Sequence, residues 1–189
     1  MKKRLIDLVI RRTFKYSQEP VFKLASGAQS SYYFNCKPTM LNSEGMYLIG
    51  NLFFEIIKGM NLKDMKAVGG LTLGADPISS AIAYTYFLKG ESIEAFVVRK
   101  EPKQHGTMQW VEGNVSEGDS VLITEDVVTT GGSTIKAIER ARKSGLNVLG
   151  VVVLIDRQEG GKEAVEALGV PVETLLTKDE IFEGYKFGK

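Results

Sequence analysis

The run Val121-Leu122-Ile123-Thr124-Glu125-Asp126-Val127-Val128-Thr129-Thr130-Gly131-Gly132-Ser133-Thr134 leaves a chain few ways to fold. It opens on aliphatic residues, sets two acids side by side and passes into a loop of Thr, Gly and Ser. Ile135-Lys136-Ala137-Ile138-Glu139-Arg140-Ala141 follows, apolar at helical spacing, until Gly145 stops it. The pattern predicts a strand, an acidic tip, a small-residue loop and a helix. In that order the free N–H groups of the helix start and several hydroxyls converge on one point, which suits a phosphate. Carboxylates beside a phosphate would repel it, so Glu125 and Asp126 need another role. Ionised acids only accept hydrogen bonds, and the vicinal hydroxyls of a ribose donate them. A ribose 5-phosphate would therefore lie along this stretch, its phosphate on the loop and its hydroxyls on the acids. The plain alternative is a polar strand tip before a well-capped helix. The stretch is neither a Walker A loop nor a Rossmann fingerprint, since it lacks Gly-Lys-Ser/Thr and Gly-x-Gly-x-x-Gly.

Composition removes other function classes. The chain has 189 residues, enough for one domain with a substantial core, and a net charge of +1. That balance gives no basic face for nucleic acid. Met1-Lys2-Lys3-Arg4 is basic, but Asp7, Arg11 and Arg12 interrupt the apolar run behind it, which argues against a signal peptide. No uncharged run is long enough to span a bilayer. One cysteine, Cys36, precludes an internal disulfide or a thiolate cluster, and one histidine, His105, removes most zinc arrangements. The expectation is a cytoplasmic α/β protein with neither a nucleic-acid nor a membrane partner.

Taken in order, residues 2 to 17 read as an amphipathic helix carrying Leu5, Leu8, Val9 and Phe14. Phe22-Lys23-Leu24 and Tyr32-Tyr33-Phe34, separated by Ser26-Gly27, read as a hairpin. A broad apolar stripe predicts a buried helix from about Ser43 to Lys58. Ala67 to Leu71 reads as a buried strand, and Asp76-Pro77 starts a helix with the acid as its cap. Ile93 to Arg99 is a further strand. The polar passage from there to Asp119 has no clear period and reads as a mobile functional loop. Val148 to Ile155, a short helix at Glu163 to Leu168, a strand at Val172 to Leu176 and a last helix complete the pattern. Alternation of this kind gives a Rossmann-like parallel sheet flanked by helices, with ligands at the carboxyl ends of its strands. The loops at those ends are 72–76, 99–106, 125–133 and 156–161.

Three of these loops complement the ribose-phosphate stretch. Thr72-Leu73-Gly74 opens onto a helix start and could hold a diphosphate at the other end of the same ligand, or be an ordinary strand–helix turn. Arg99-Lys100-Glu101-Pro102-Lys103-Gln104-His105-Gly106 gathers four potential cations. It reads as a lid over a leaving group that gains negative charge, or as a solvated surface. Arg157, at a strand end after Asp156, suits a carboxylate on the substrate, or a structural salt bridge.

The segment 121–134 resembles the phosphoribosyl-diphosphate (PRPP) signature of the type I phosphoribosyltransferases. Three more blocks resemble the orotate branch of that family: 26–37 (Ser26-Gly27-Ala28-Gln29-Ser30-Ser31-Tyr32-Tyr33-Phe34-Asn35-Cys36-Lys37), 99–106 and Asp156-Arg157-Gln158-Glu159-Gly160. The similarity runs from about residue 17 to the final strand. It implies one domain over 1–189, with a small hood formed by about 1–40 and the C-terminal segment. It also implies transfer of the phosphoribosyl group from PRPP to orotate, giving orotidine 5′-monophosphate and diphosphate in pyrimidine synthesis. Arg99, Lys100, Lys103, His105, Glu125 to Ser133 and Thr72 to Gly74 would then bind PRPP. Thr129, Arg157 and Phe34 would meet orotate, with the Tyr33-Phe34 pair walling the base or, as two aromatics on a strand, lying in the core. Arg99, Lys103, His105 and Asp126 would carry the catalysis. Mg²⁺ would arrive on PRPP, near Glu125 and Asp126, with no all-protein metal site. A homodimer with shared active sites is implied as well. Two departures stand out: Ala25 replaces a lysine common in relatives, leaving Lys23 and Lys37 nearby, and the acid pair begins with Glu125 where Asp is commoner. The rival readings are a PRPP-sensing regulator that binds nucleic acid and a transferase for another base.

Overall fold

The computed structural model describes residues 1–23, 29–102 and 110–187, with the side chain of Phe187 outside that set. Its frame is a six-stranded sheet of order β10-β9-β8-β5-β6-β7. The strands are β5 (Met65–Leu71), β6 (Glu94–Val98), β7 (Val111–Gly113), β8 (Ser120–Val128), β9 (Asn147–Asp156) and β10 (Val172–Thr177). All neighbours run parallel except β7, which pairs antiparallel with β6 at the edge. The helices are α1 (Lys2–Arg12), α2 (Lys37–Met40), α3 (Ser43–Gly59), α4 (Asp76–Leu88), α5 (Gly132–Lys143), α6 (Gly161–Glu166) and α7 (Lys178–Phe187).

The central strands are buried on both faces, as parallel strands under crossover helices must be. Val121 and Ile123 join the core beneath α5, with Ala137, Ile138 and Ala141. Leu122 between them joins the opposite core, with Leu48, Phe53, Ile78 and Ile82 of α3 and α4. Val151 and Val153 divide from Val152 and Leu154 in the same way, the period of two expected of a pleated strand. The chain leaves β5 towards β6 and returns to place β8 on the other side of β5. That reversal opens a crevice at the carboxyl ends of β5 and β8.

The amino-terminal region departs from the sequence expectation in two ways. The first helix ends at Arg12, and Phe14–Tyr16 forms β1. β1 pairs antiparallel with β4 (Tyr32–Phe34), while β2 (Phe22–Lys23) pairs with β3 (Gln29–Ser30), so 22–24 is not the partner of 32–34. The reason is aromatic packing between distant segments. Phe14 meets Phe34 at 5.3 Å, Phe182 at 5.0 Å and Tyr185 at 5.3 Å between ring centroids, tying β1 and β4 to α7. The polar passage after β6 also carries a strand, β7, where none was legible: Val111–Gly113 is too short to show a period.

Candidate active site

The loop expected to take a phosphate, Thr129 to Ser133, is shaped by backbone. β8 continues through both acids to Val128, with Glu125 opposite Val153 and Val128 opposite Asp156, so the acids lie within the strand and not beyond its tip. Thr129 to Gly131 then turn the chain into α5. Gly131 sits at the helix N-cap with φ +81°, and no side chain caps the helix. A Cβ there would also stand 2.8 Å from the Gly161 carbonyl oxygen. Glycine is thus required twice over. The uncapped first turn leaves the Gly132, Ser133 and Thr134 amides available to an anion.

The two acids differ. Glu125 is buried, accepts the Thr134 hydroxyl at 2.9 Å and lies 3.3 Å from the Asp126 amide. Burial, and next the Asp126 charge, push its carboxyl up to about 8. Asp126 is half-buried, its carboxyl close enough to bear on Glu125, and its Oδ1 accepts the Val127 amide at 2.9 Å. A Cβ on Gly74 would come within 2.7 Å of that same oxygen. The loop after β5 and the acid of β8 therefore touch across the crevice. In that loop the Thr72–Leu73 peptide is cis, and Leu73 is exposed. Asp76 does not cap α4. Ala75 is the N-cap, and Asp76 instead takes the Thr72 hydroxyl on Oδ2 at 2.7 Å, bracing the loop. Its Oδ1 is buried without a hydrogen-bond partner among the described residues.

A cavity of about 480 Å³ joins the phosphate loop to the end of β9. Val127 to Thr134 line one side; Phe34, Tyr33, Arg157 and Glu159 line the other, with Lys136 near the loop. Of the residues expected to bind ligand, Phe34, Val127 to Ser133 and Arg157 meet here. Thr72 to Gly74 and the two acids adjoin one another but are not among its lining residues. Arg99 is not among them either: its Nη1 pairs with Glu112 at 3.0 Å, its Nε donates to the Glu101 carbonyl at 3.1 Å, and its own carbonyl receives Arg140 at 2.7 Å. Lys100 is exposed. Lys103 and His105 lie outside the described residues, as does Ala25.

Arg157 is 5 % exposed. Its guanidinium lies 4.7 Å from the Tyr32 ring centroid and pairs with Glu159, so part of the salt-bridge alternative is realised. Three lining residues had no assigned role in the sequence: Lys136, Thr134 and Glu159. Lys136 stands four positions past Gly132, one turn into the helix, a spacing that would have placed it near the loop. Glu159 stands two positions from Arg157, but its other partner, Tyr32, is remote in sequence, so the three-way contact left no local signal.

The family model for the phosphoribosyl transferase domain matches residues 44–178. The orotate phosphoribosyltransferase of Aquifex aeolicus is 45% identical over 180 residues, covering 95% of this chain and 97% of its own. The chain belongs to the orotate phosphoribosyltransferase family. Its fold matches the Mycobacterium tuberculosis orotate phosphoribosyltransferase with a TM-score of 0.83 at 36% identity, over 95% of this chain and 98% of that one. That enzyme has also been solved in complex with PRPP, and this structure matches at a TM-score of 0.76 and 32% identity, over 95% and 90% of the two chains. The parallel sheet with flanking helices is thus the phosphoribosyltransferase fold. Among the described residues no helix is long and apolar enough to cross a membrane.

Proposed function

We infer that the chain transfers the 5-phosphoribosyl group of PRPP to orotate, releasing diphosphate and forming orotidine 5′-monophosphate, as a cytoplasmic step of pyrimidine synthesis. The observation that carries the reading is the cavity running from an uncapped helix start to a buried guanidinium. It offers one site for a phosphate and one for a carboxylate, the two charged ends of the product.

The 5-phosphate rests on the amides and hydroxyls of Thr129 to Ser133, and the ribose hydroxyls on Asp126 with Glu125 beneath it. Thr72, Leu73 and Gly74 meet the diphosphate. The carboxylate of orotate takes Arg157, with Phe34 walling the ring and Thr129 at its edge. The C1–O bond to diphosphate breaks as an orotate ring nitrogen forms the C1–N bond and gives up its proton. The leaving group departs with the bonding pair, so negative charge grows at the diphosphate end. Lys103, His105 and Arg99 neutralise or protonate it there; positioning and charge supply most of the acceleration. Mg²⁺, when bound with PRPP, screens the diphosphate charge. Asp126 suits that hard cation, being a half-buried carboxylate against the diphosphate loop. The hood of about 1–40 with the C-terminal segment belongs to the same single domain. The active unit is a homodimer whose lid cations serve a shared site.

Incubation of the protein and Mg²⁺ with PRPP and orotate, uracil, hypoxanthine or adenine, followed by diphosphate assay, tests the reading. Release with orotate alone is the expected result. Release with adenine and not orotate would move the chain to another base, and none with any base would leave a PRPP-binding regulator. Lys103→Ala is expected to cut turnover far more than PRPP affinity; unchanged turnover would take the lid out of the mechanism.

A further inference from the structure

We propose that Glu159 is a built-in competitor for the substrate carboxylate: it occupies the Arg157 fork in the unliganded protein and is displaced from it as orotate binds. The proposal rests on the reading of Arg157 as the orotate carboxylate site. Glu159 Oε1 stands 3.0 Å from Arg157 Nε and 2.9 Å from Nη2. Those two nitrogens form one of the two guanidinium edges that a planar carboxylate can take in a bidentate pair. The same oxygen accepts the Tyr32 hydroxyl at 2.6 Å. Tyr32 also lies against the guanidinium face, so Arg157 is held from the side while its fork is filled by an acid of the chain itself.

The contrast in burial makes the competitor removable. The Arg157 side chain is 6% exposed and that of Glu159 is 34% exposed. The arginine is therefore fixed, while the glutamate has water to move into. Arg157 and Glu159 line the same cavity as Phe34 and the phosphate loop, so a carboxylate entering it meets both charges. If Glu159 stayed, it would repel that carboxylate at close range. When it swings out, the buried guanidinium exchanges one carboxylate for another and is never left unpaired, which avoids the large cost of an isolated buried charge. The device favours ligands that bring their own carboxylate. A neutral pyrimidine such as uracil cannot replace the ion pair it would have to break.

Steady-state kinetics of Glu159→Gln and Glu159→Ala with orotate and PRPP varied in turn tests this. The orotate KM is expected to fall about threefold in the Gln variant and about fivefold in the Ala variant, the size of a partly exposed ion pair. The gain should appear in KM and not in kcat, with the PRPP KM unmoved. A merely structural role for Glu159 would lower kcat and raise both KM values, whereas a lower melting temperature of the substrate-free variant is expected on either reading because Arg157 loses its partner. An orotate KM that rises or stays constant in a variant that remains folded at the assay temperature would overturn the proposal, the first meaning that Glu159 holds orotate. Arg157→Gln separates the two layers. An orotate KM unchanged in that variant removes the carboxylate site itself, and the competitor with it. A raised KM there, without the gain in the Glu159 variants, defeats the competitor alone. Melting temperatures measured alongside guard against misfolding, and either Glu159 variant suffices if the other fails to fold.

Discussion

At the α5 end of the cleft the groups that face a ligand are backbone amides and small hydroxyls, placed by Gly131 in a left-handed turn and by a helix that no side chain caps. At the β9 end they are long side chains: Arg157 against the Tyr32 ring, with Glu159 on its fork. The first end has little freedom to adapt, because moving an amide means moving the sheet-to-helix connection. The second can exchange partners by rotating one glutamate. A group that does not vary from ligand to ligand suits the rigid end, and a group that distinguishes one ligand from another suits the adjustable one. The contrast teaches that conformation matters most where backbone binds, and charge where side chains bind.

Four substitutions sharpen or break this contrast, from the largest effect downwards. Gly131→Val is expected to lower turnover about 100-fold or more and destabilise the fold by about 1–3 kcal/mol, since it forces a β-branched residue into positive φ. Near-normal turnover would show that the α5 end is not rigid. Arg157→Gln is expected to raise the orotate KM about 30-fold, about 2 kcal/mol, while the PRPP KM moves little. Equal losses for both substrates would erase the division into two ends.

Glu125→Gln probes the seam between them. The Glu125 carboxyl is raised from 4.5 to about 8, so the fold favours its protonated form. The corresponding stability is complete below about pH 4.5 and is lost as pH rises through about 8. The Gln variant should therefore match the parent near pH 5 and melt about 5 °C higher near pH 9 in the absence of substrate. Identical melting curves at both pH values would show that Glu125 is not buried in the charge-averse setting the structure gives it. Lys136→Ala is the smallest change. An exposed cation near the phosphate loop is expected to raise the PRPP KM about threefold. A thirtyfold rise would mean that a side chain shares the phosphate end on equal terms with the backbone.

The strand, turn and uncapped helix start at the α5 end were legible because their parts are contiguous. Aliphatic residues, acids, Thr, Gly and Ser stand in the order in which strand, turn and helix use them, and no distant residue is needed to make the helix start bind an anion. The alternation of strands and helices was legible for the same reason. Misjudged elements depended on partners far along the chain. Phe14–Tyr16 looked like the end of a helix because its apolar and charged positions continue the pattern of α1. It is a strand because Phe34, Phe182 and Tyr185 are there to cover it. Asp76 looked like a cap, yet the Thr72 hydroxyl claims it.

What the sequence alone determined is the parallel α/β frame, the strand–turn–helix passage over 121–141 and the placing of Arg157 at a strand end. Those features follow from local backbone preference and from the period of burial, which short windows contain. Only the tertiary structure decided that Glu125 faces α5 while Asp126 faces Gly74, that Arg99 is tied to Glu112, and that Glu159 fills the Arg157 fork beneath Tyr32. Each of these depends on which strands become neighbours, and strand order is fixed by the burial of whole faces, a balance no single stretch of residues carries.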